Sequence, residues 1–225
     1  AANSGTGSPR DWDEAIVQIL REAGFSKGTL GIDGMRFLPY TTIERIQEAL
    51  SGTELKDVTG LVHSAALARS PAEERYIREA ARLSKIGMDA FLEAAEPGVR
   101  QAEAVALCEH AARMAGAELV GLYMSAGEPW VWGRQRDDIV FQDGDIVALE
   151  VNARYKGYYG QVCRTAPVGN PSDEKLQIRD AAKSAHDKML TLVKPGVRPK
   201  ELYAAGLAVA QEYGFDYSGV RFGHG

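Results

Sequence analysis

Cysteine is scarce in this chain: Cys108 and Cys163 are the only two among 225 residues, and they stand far apart. That count excludes a disulfide framework, and the spacing excludes a clustered cysteine metal site. Thiols of this kind fit a reducing compartment, so a cytoplasmic location is expected. Basic charge is also in short supply. Lys and Arg total 26 against 31 Asp and Glu, a net charge of −5. The basic patch that nucleic acid demands is missing, and no nucleic-acid partner is expected. No apolar run approaches the ~18–20 residues needed to span a bilayer, so no membrane partner is expected either. The opening "AANSGTGSPRDWDE" has no apolar core of the kind a secretory leader carries. What is present, 45% hydrophobic residues in a chain of this length, suits one or two globular domains with a substantial core.

The first 68 residues read as a small α/β unit. "DWDEAIVQILREA" (11–23) carries apolar residues at helical spacing, and "GTLGIDG" is a short strand bounded by glycines. "TTIERIQEALSG" is a second helix with a Ser-Gly stop, and "TELKDVTGLVHSAA" reads as a strand followed by a turn. A boundary follows. In "RSPAEERYIREAARL" Ser70 is placed to cap a helix, Pro71 to occupy its first position and Glu73 to complete the capping box. That helix should run to about Ala95, where Pro97-Gly98 stops it.

An internal repeat is the most informative feature. "EPGVRQAEAVALCEHAARMAGAELVGLYMSAG" (96–127) aligns without gaps on "KPGVRPKELYAAGLAVAQEYGFDYSGVRFGHG" (194–225). Pro97, Gly98, Val99 and Arg100 match Pro195, Gly196, Val197 and Arg198; Glu103 matches Glu201; Gly116, Gly121 and Gly127 match Gly214, Gly219 and Gly225. Upstream, "IREAAR" (77–82) resembles "IRDAAK" (178–183). Each copy reads as helix, Pro-Gly turn, helix and a strand entering an antiparallel sheet. Two copies at this long a period make a duplicated half-domain, not a solenoid. After Gly127 the first copy continues into strand and hairpin, whereas the second stops at Gly225. A half without its strands leaves sheet edges unpaired, so the natural protein is expected to continue further.

The segment "GDIVALEVNARYKGYYGQVCRT" (144–165) reads as a β-hairpin. Strand 146–153 alternates, with Ile146, Ala148, Glu150 and Asn152 on one face and Val147, Leu149, Val151 and Ala153 on the other. A Tyr155-Lys156 loop sets Glu150 opposite Gln161; a Lys156-Gly157 loop sets it opposite Cys163. Both registers bring Glu150, Gln161 and Cys163 to one face. A carboxylate in the middle of an apolar strand is costly to bury without a partner, which marks Glu150 as a candidate site residue.

These segments resemble a known family. "GDIVALEVNARYKGYYGQVCRT", the "SPAEERYIREA" helix start and the terminal "GHG" are similar to the creatinase, aminopeptidase P, prolidase and methionine aminopeptidase family, over about residues 69–225. The resemblance implies the α/β pita-bread fold, two halves related by pseudo-twofold symmetry, incomplete here at the C-terminus. Residues 1–68 look like the C-terminal part of the N-terminal domain of the creatinase and prolidase branch. It implies a homodimer as well.

The resemblance also exposes departures. Metallopeptidases of this family bind two divalent ions through five side chains, of which the first three positions fall on Glu150, Gln161 and His224; two glutamates would follow beyond Gly225. Gln161 offers only a neutral oxygen where a pair of dications wants a carboxylate. The metal-independent creatinase branch uses a histidine that falls here at Gly133 and a glutamate that falls at Cys163. No cofactor is therefore expected, with a divalent metal (Mn, Co or Zn) as the alternative.

Trp130 and Trp132 share a strand phase with Arg134 two residues on, a set that could hold a carboxylate or planar group of a substrate and could equally be a packing cluster. His224 reads as a general acid or base, as a metal ligand short of partners, or as a structural residue. His63, His110 and His186 read as structural or exposed. The function implied is a hydrolase acting on an amide or amidine-like C–N bond of a small amino-acid-derived or dipeptide substrate. His224 and Glu150 would be catalytic, with Gln161, Trp130, Trp132 and Arg134 binding substrate. The alternatives are a metal-dependent X-Pro aminopeptidase or dipeptidase, and an inactive peptide-binding module.

Overall fold

The computed structural model describes residues 12–127, 132–133 and 135–215. Two compact units divide the chain, one ending at Ser70 and the other beginning at Pro71. In the first, helix α1 (Trp12–Glu22) ends in a left-handed Gly24, after which the chain forms strand β1 (Gly28–Ile32). A single 3-10 turn (Met35–Phe37) leads to α2 (Tyr40–Ala49) and strand β2 (Thr53–Asp57), which pairs in parallel with β1. Val17, Leu30, Ile46 and Leu50 form the core of this unit, drawn from α1, β1, α2 and the residue that caps α2. The stretch read from sequence as a strand and a turn holds the strand, β2, and, in place of the turn, a six-residue helix, α3 (Leu61–Ala66). Its length, under two turns, leaves no 3.6-residue periodicity to detect.

The larger unit opens with α4 (Pro71–Ala94), which starts at the Pro71 position expected from the capping signal. Then come α5 (Gln101–Met114), strands β3 (Leu119–Ala126), β4 (Ile146–Tyr155) and β5 (Tyr158–Pro167), and helices α6 (Asp173–Leu190) and α7 (Pro199–Glu212). β3, β4 and β5 make an antiparallel sheet in that order. One sheet face carries Val120, Leu122, Met124, Val147, Leu149, Val151 and Ala153, all buried against Leu83, Met88 and Phe91 of α4 and Ala104, Val105 and Cys108 of α5. Phe141, from the connection into β4, meets Phe91 edge to face at 6.2 Å. Among the described residues no helix is long and apolar enough to cross a membrane.

The repeat is visible in backbone detail. Gly98 and Gly196 both sit at positive φ, 89° and 90°. Each turn closes with the same bond, Val99 N–H to the Glu96 carbonyl at 3.1 Å and Val197 N–H to the Lys194 carbonyl at 3.2 Å. These are turns of the Pro-Gly type, in which only glycine accepts the third residue's backbone without strain. Both following helices end in the same double C-cap. Ala117 and Gly116 donate to Ala112 and Arg113, and Phe215 and Gly214 donate to Ala210 and Gln211. The strand expected after α7 lies outside the described residues.

Helix α4 meets the hairpin through one contact of high precision. Ser84 is fully buried and its Oγ donates to the Gly160 carbonyl at 2.6 Å while accepting from the Ala153 N–H at 2.7 Å. Ala153 and Gly160 are register partners, so the hydroxyl spans both strands. The approach requires glycine: a β-carbon on residue 160 would stand 2.5 Å from Ala80 C and Ala81 Cα of the helix backbone. Ser84→Ala strands a buried N–H and a buried carbonyl, and should cost about 2–3 kcal/mol, read as a fall of several degrees in Tm. Gly160→Ala must push the helix away and is expected to cost more, at least about 3 kcal/mol in the same measurement.

Candidate functional site

The hairpin turn settles the register that the sequence left open. Lys156 and Gly157 both take positive φ, 50° and 83°, and Tyr155 pairs with Tyr158. This is the two-residue turn whose twist matches that of the strands it joins. Glu118 clasps it, accepting from the backbone N–H of Lys156 at 2.9 Å and of Gly157 at 3.3 Å, with Arg154 Nε at 3.2 Å. Desolvation pushes the Glu118 carboxyl upward, but those two N–H groups and the Arg154 guanidinium outweigh it and hold the group below the usual carboxylate range.

Glu150 consequently faces Cys163, not Gln161, and its other neighbour is Tyr123 on β3. The adjacent row of the same face is Gly121, Asn152 and Gln161, and the row on the other side is Ser125, Ala148 and Thr165. Gln161 is thus the diagonal neighbour of Glu150, close enough for long side chains to interact. Opposite to the packed face, this surface is polar in its middle. Glu150 is half-buried, while Gln161 and Cys163 are exposed. Asn152 Nδ2 donates to Glu150 Oε1 at 2.8 Å, so one carboxylate oxygen is already oriented by its own strand. Sequence reasoning placed Asn152 on this face without giving it a role; its i+2 spacing from Glu150 was the available signal.

Beyond β3 the sheet gains one further position. Gly133 exchanges backbone hydrogen bonds with Met124, N–H to O at 3.0 Å and O to N–H at 2.7 Å. Alternation from that pair sets Trp132, 46% exposed, beside Ser125 on the Glu150 side. A β-carbon at Gly133 would meet nothing within 4 Å, so packing leaves room for a side chain there that the sequence does not supply. Trp130, Arg134 and His224 lie outside the described residues. His63, His110 and His186 are all exposed on helices. Arg164 points away from Glu150 and donates to the Cys163 carbonyl at 2.7 Å.

The donor set at the two hairpin positions is one carboxylate and one neutral amide. A pair of adjacent dications needs bridging carboxylates for geometry and charge balance, and Gln161 supplies neither. Among the described residues no three His, Cys, Asp or Glu side chains converge as ligands. Cys163 is a poor nucleophile as placed. Desolvation first, and the Glu150 charge second, raise its thiol above the ordinary value, with Arg164 opposing them.

A three-stranded antiparallel sheet backed by two helices, with a carboxylate-bearing hairpin and a repeated helix pair, is half of a duplicated α/β architecture. The chain belongs to metallopeptidase family M24, whose sequence pattern matches residues 75–225, and the creatinase/prolidase N-terminal domain pattern matches residues 4–65. Similar proteins include an Xaa-Pro dipeptidase from Pyrococcus furiosus, 27% identical over 96% of this chain and 61% of the relative. A creatinase from a Bacillus species is 30% identical over 94% of this chain and 53% of the relative. Among solved structures, the prolidase from Pyrococcus furiosus superposes with a TM-score of 0.76 at 26% identity, covering 92% of this chain and 60% of that one. The fold is therefore of the pita-bread type, and the chain spans between half and about three-fifths of the length of these relatives.

Thiol alkylation with peptide mapping offers a direct check on the site's electrostatics. Cys108, buried and pushed up to about 12, should label only on unfolding. Cys163 should label slowly at neutral pH, and Glu150→Gln should accelerate it by removing the neighbouring negative charge. An unchanged rate would show that the carboxylate does not act on the thiol.

Proposed function

We propose that the complete protein is a hydrolase that cleaves an amide or amidine-like C–N bond in a small amino-acid-derived or dipeptide substrate, without the usual metal pair. What supports this reading is Gln161, a neutral amide that the family resemblance sets at the second ligand position and that lies diagonal to a Glu150 already engaged by Asn152. In this scheme a water oxygen bonds to the carbon, the C–N bond breaks, and His224 passes the water's proton to the leaving nitrogen. Glu150 orients that water or holds a cationic group of the substrate, and Gln161 hydrogen-bonds to it. Trp130, Trp132 and Arg134 form the wall that binds the remainder of the substrate. The domain division at residues 68 and 69, a homodimeric assembly and a cytoplasmic location belong to the same proposal.

A metal-dependent Xaa-Pro peptidase is the second reading, favoured by the similarity to Xaa-Pro dipeptidases. Elemental mass spectrometry of the full-length protein, purified without chelator, separates the two. The proposal expects well under one transition-metal ion per chain and hydrolysis indifferent to chelator. Two ions per chain, with Ala-Pro cleavage restored by manganese or cobalt, would establish the peptidase instead. Within the metal-free scheme, Glu150→Ala and His224→Ala should each lower kcat by roughly 10²–10⁴. Full activity in both variants would sink it.

A further inference from the structure

One polar atom of this sheet face is left over. Ser125 on β3 is 2% exposed, and among the described residues its Oγ has no hydrogen-bond partner. Buried hydroxyls are almost always bonded, so an isolated one calls for a physical reason. Among the described residues the sheet offers it no candidate nearby. Its register partner Ala148 has no polar side-chain atom, and the next hydroxyl in the row, Thr165, is two strands away, roughly 10 Å. The Glu150 carboxylate lies on the diagonal with Oε1 bonded to the Asn152 amide, and the Ser125 hydroxyl makes no bond to it. Ladder bonding occupies the strand backbone, and Met124 exchanges both of its bonds with Gly133. Alanine would fill the same space without an unmet hydrogen bond, so the hydroxyl is a feature that folding does not require.

We propose that Ser125 contacts the substrate, its hydroxyl donating to an acceptor oxygen, carbonyl or carboxylate, at the end of the face beyond Glu150. This rests on the reading of the Glu150 face as the substrate site. The place suits such a contact. Ala148 gives the row a small floor, while the large neighbours on this face are Tyr123, two residues back on β3, and Trp132 beside Ser125, 43% and 46% exposed. Rings with that much freedom give access to the hydroxyl by a change of rotamer. The row carries no charge, so it recognises a neutral or anionic oxygen, leaving any cationic group to Glu150. Burial makes the contact selective, because a hydroxyl shut off from water loses its only partner when the ligand lacks an acceptor.

Ser125→Ala in the full-length protein tests this through two readouts of opposite sign. The variant should keep its Tm or gain, since an unmet buried group is removed. For the substrate turned over from a panel of Ala-Pro, a guanidino acid and a cyclic amidine acid, KM should rise about tenfold or more with kcat little changed. A Tm several degrees lower would overturn the proposal, showing the hydroxyl bonded within the protein or to an internal water; an unchanged KM would overturn it too. If the wild type hydrolyses nothing in the panel, the hydrolase reading fails on its own. The thermal shift given by Ala-Pro then replaces KM: a reduced shift in the variant supports the contact, and an equal or absent shift overturns it.

Discussion

The Ser84 hydroxyl, accepting from Ala153 and donating to Gly160, is the point at which helix and hairpin become one object. A β-sheet backed by helices is ordinarily held by apolar packing, which tolerates small sliding. A hydrogen-bonded hydroxyl does not slide. It fixes the height of α4 over both strands at the register row next to Asn152 and Gln161, so the polar face is positioned from behind. Gly160 is the other half of the device, because no side chain fits between strand and helix there. The apolar cluster of Leu83, Phe91, Leu149 and Val151 supplies most of the driving force, and the hydroxyl selects one geometry from those the cluster allows.

On the opposite face the proposed chemistry departs from a metal-centred plan, while the architecture is that of the family. Glu150 keeps a negative charge, Asn152 orients it, and Gln161 adds a second amide where a carboxylate would be needed to balance two cations. In the proposed scheme, one carboxylate flanked by two carboxamides takes ligands bearing N–H donors in preference to bare dications. Relatives called Xaa-Pro dipeptidase and creatinase show that this scaffold supports more than one hydrolytic chemistry.

How much of this was legible in the sequence follows from the range of each interaction. The repeat was, because Pro-Gly turns and glycine C-caps are local devices that leave fixed residues at fixed spacing. The capping signal at Ser70-Pro71 and the alternation of β4 were legible for the same reason. The hairpin register was not, since "RYKG" admits two turns, and only the positive φ of Lys156 and Gly157 separates them. The Ser84 contact joins residues 76 apart and the isolation of Ser125 depends on what three strands fail to offer. Neither has a local signature. Asn152 was visible on the right face, yet a bond between two side chains of one strand cannot be told from mere proximity by pattern alone.

The clasped turn at Lys156-Gly157 also bears on the order of events as the chain folds. A two-residue hairpin closes on a timescale of microseconds, long before contacts at high sequence separation can form. The turn thus commits β4 and β5 to a register while α4 is still undocked. A slip by one position would carry Glu150 into the apolar core and Val151 into the site, and the docking step would reject that product because Ala153 and Gly160 would no longer present their backbone to Ser84. The helix therefore serves as a proofreading step for the hairpin: correct strand alignment and correct presentation of the polar face are tested in the same encounter.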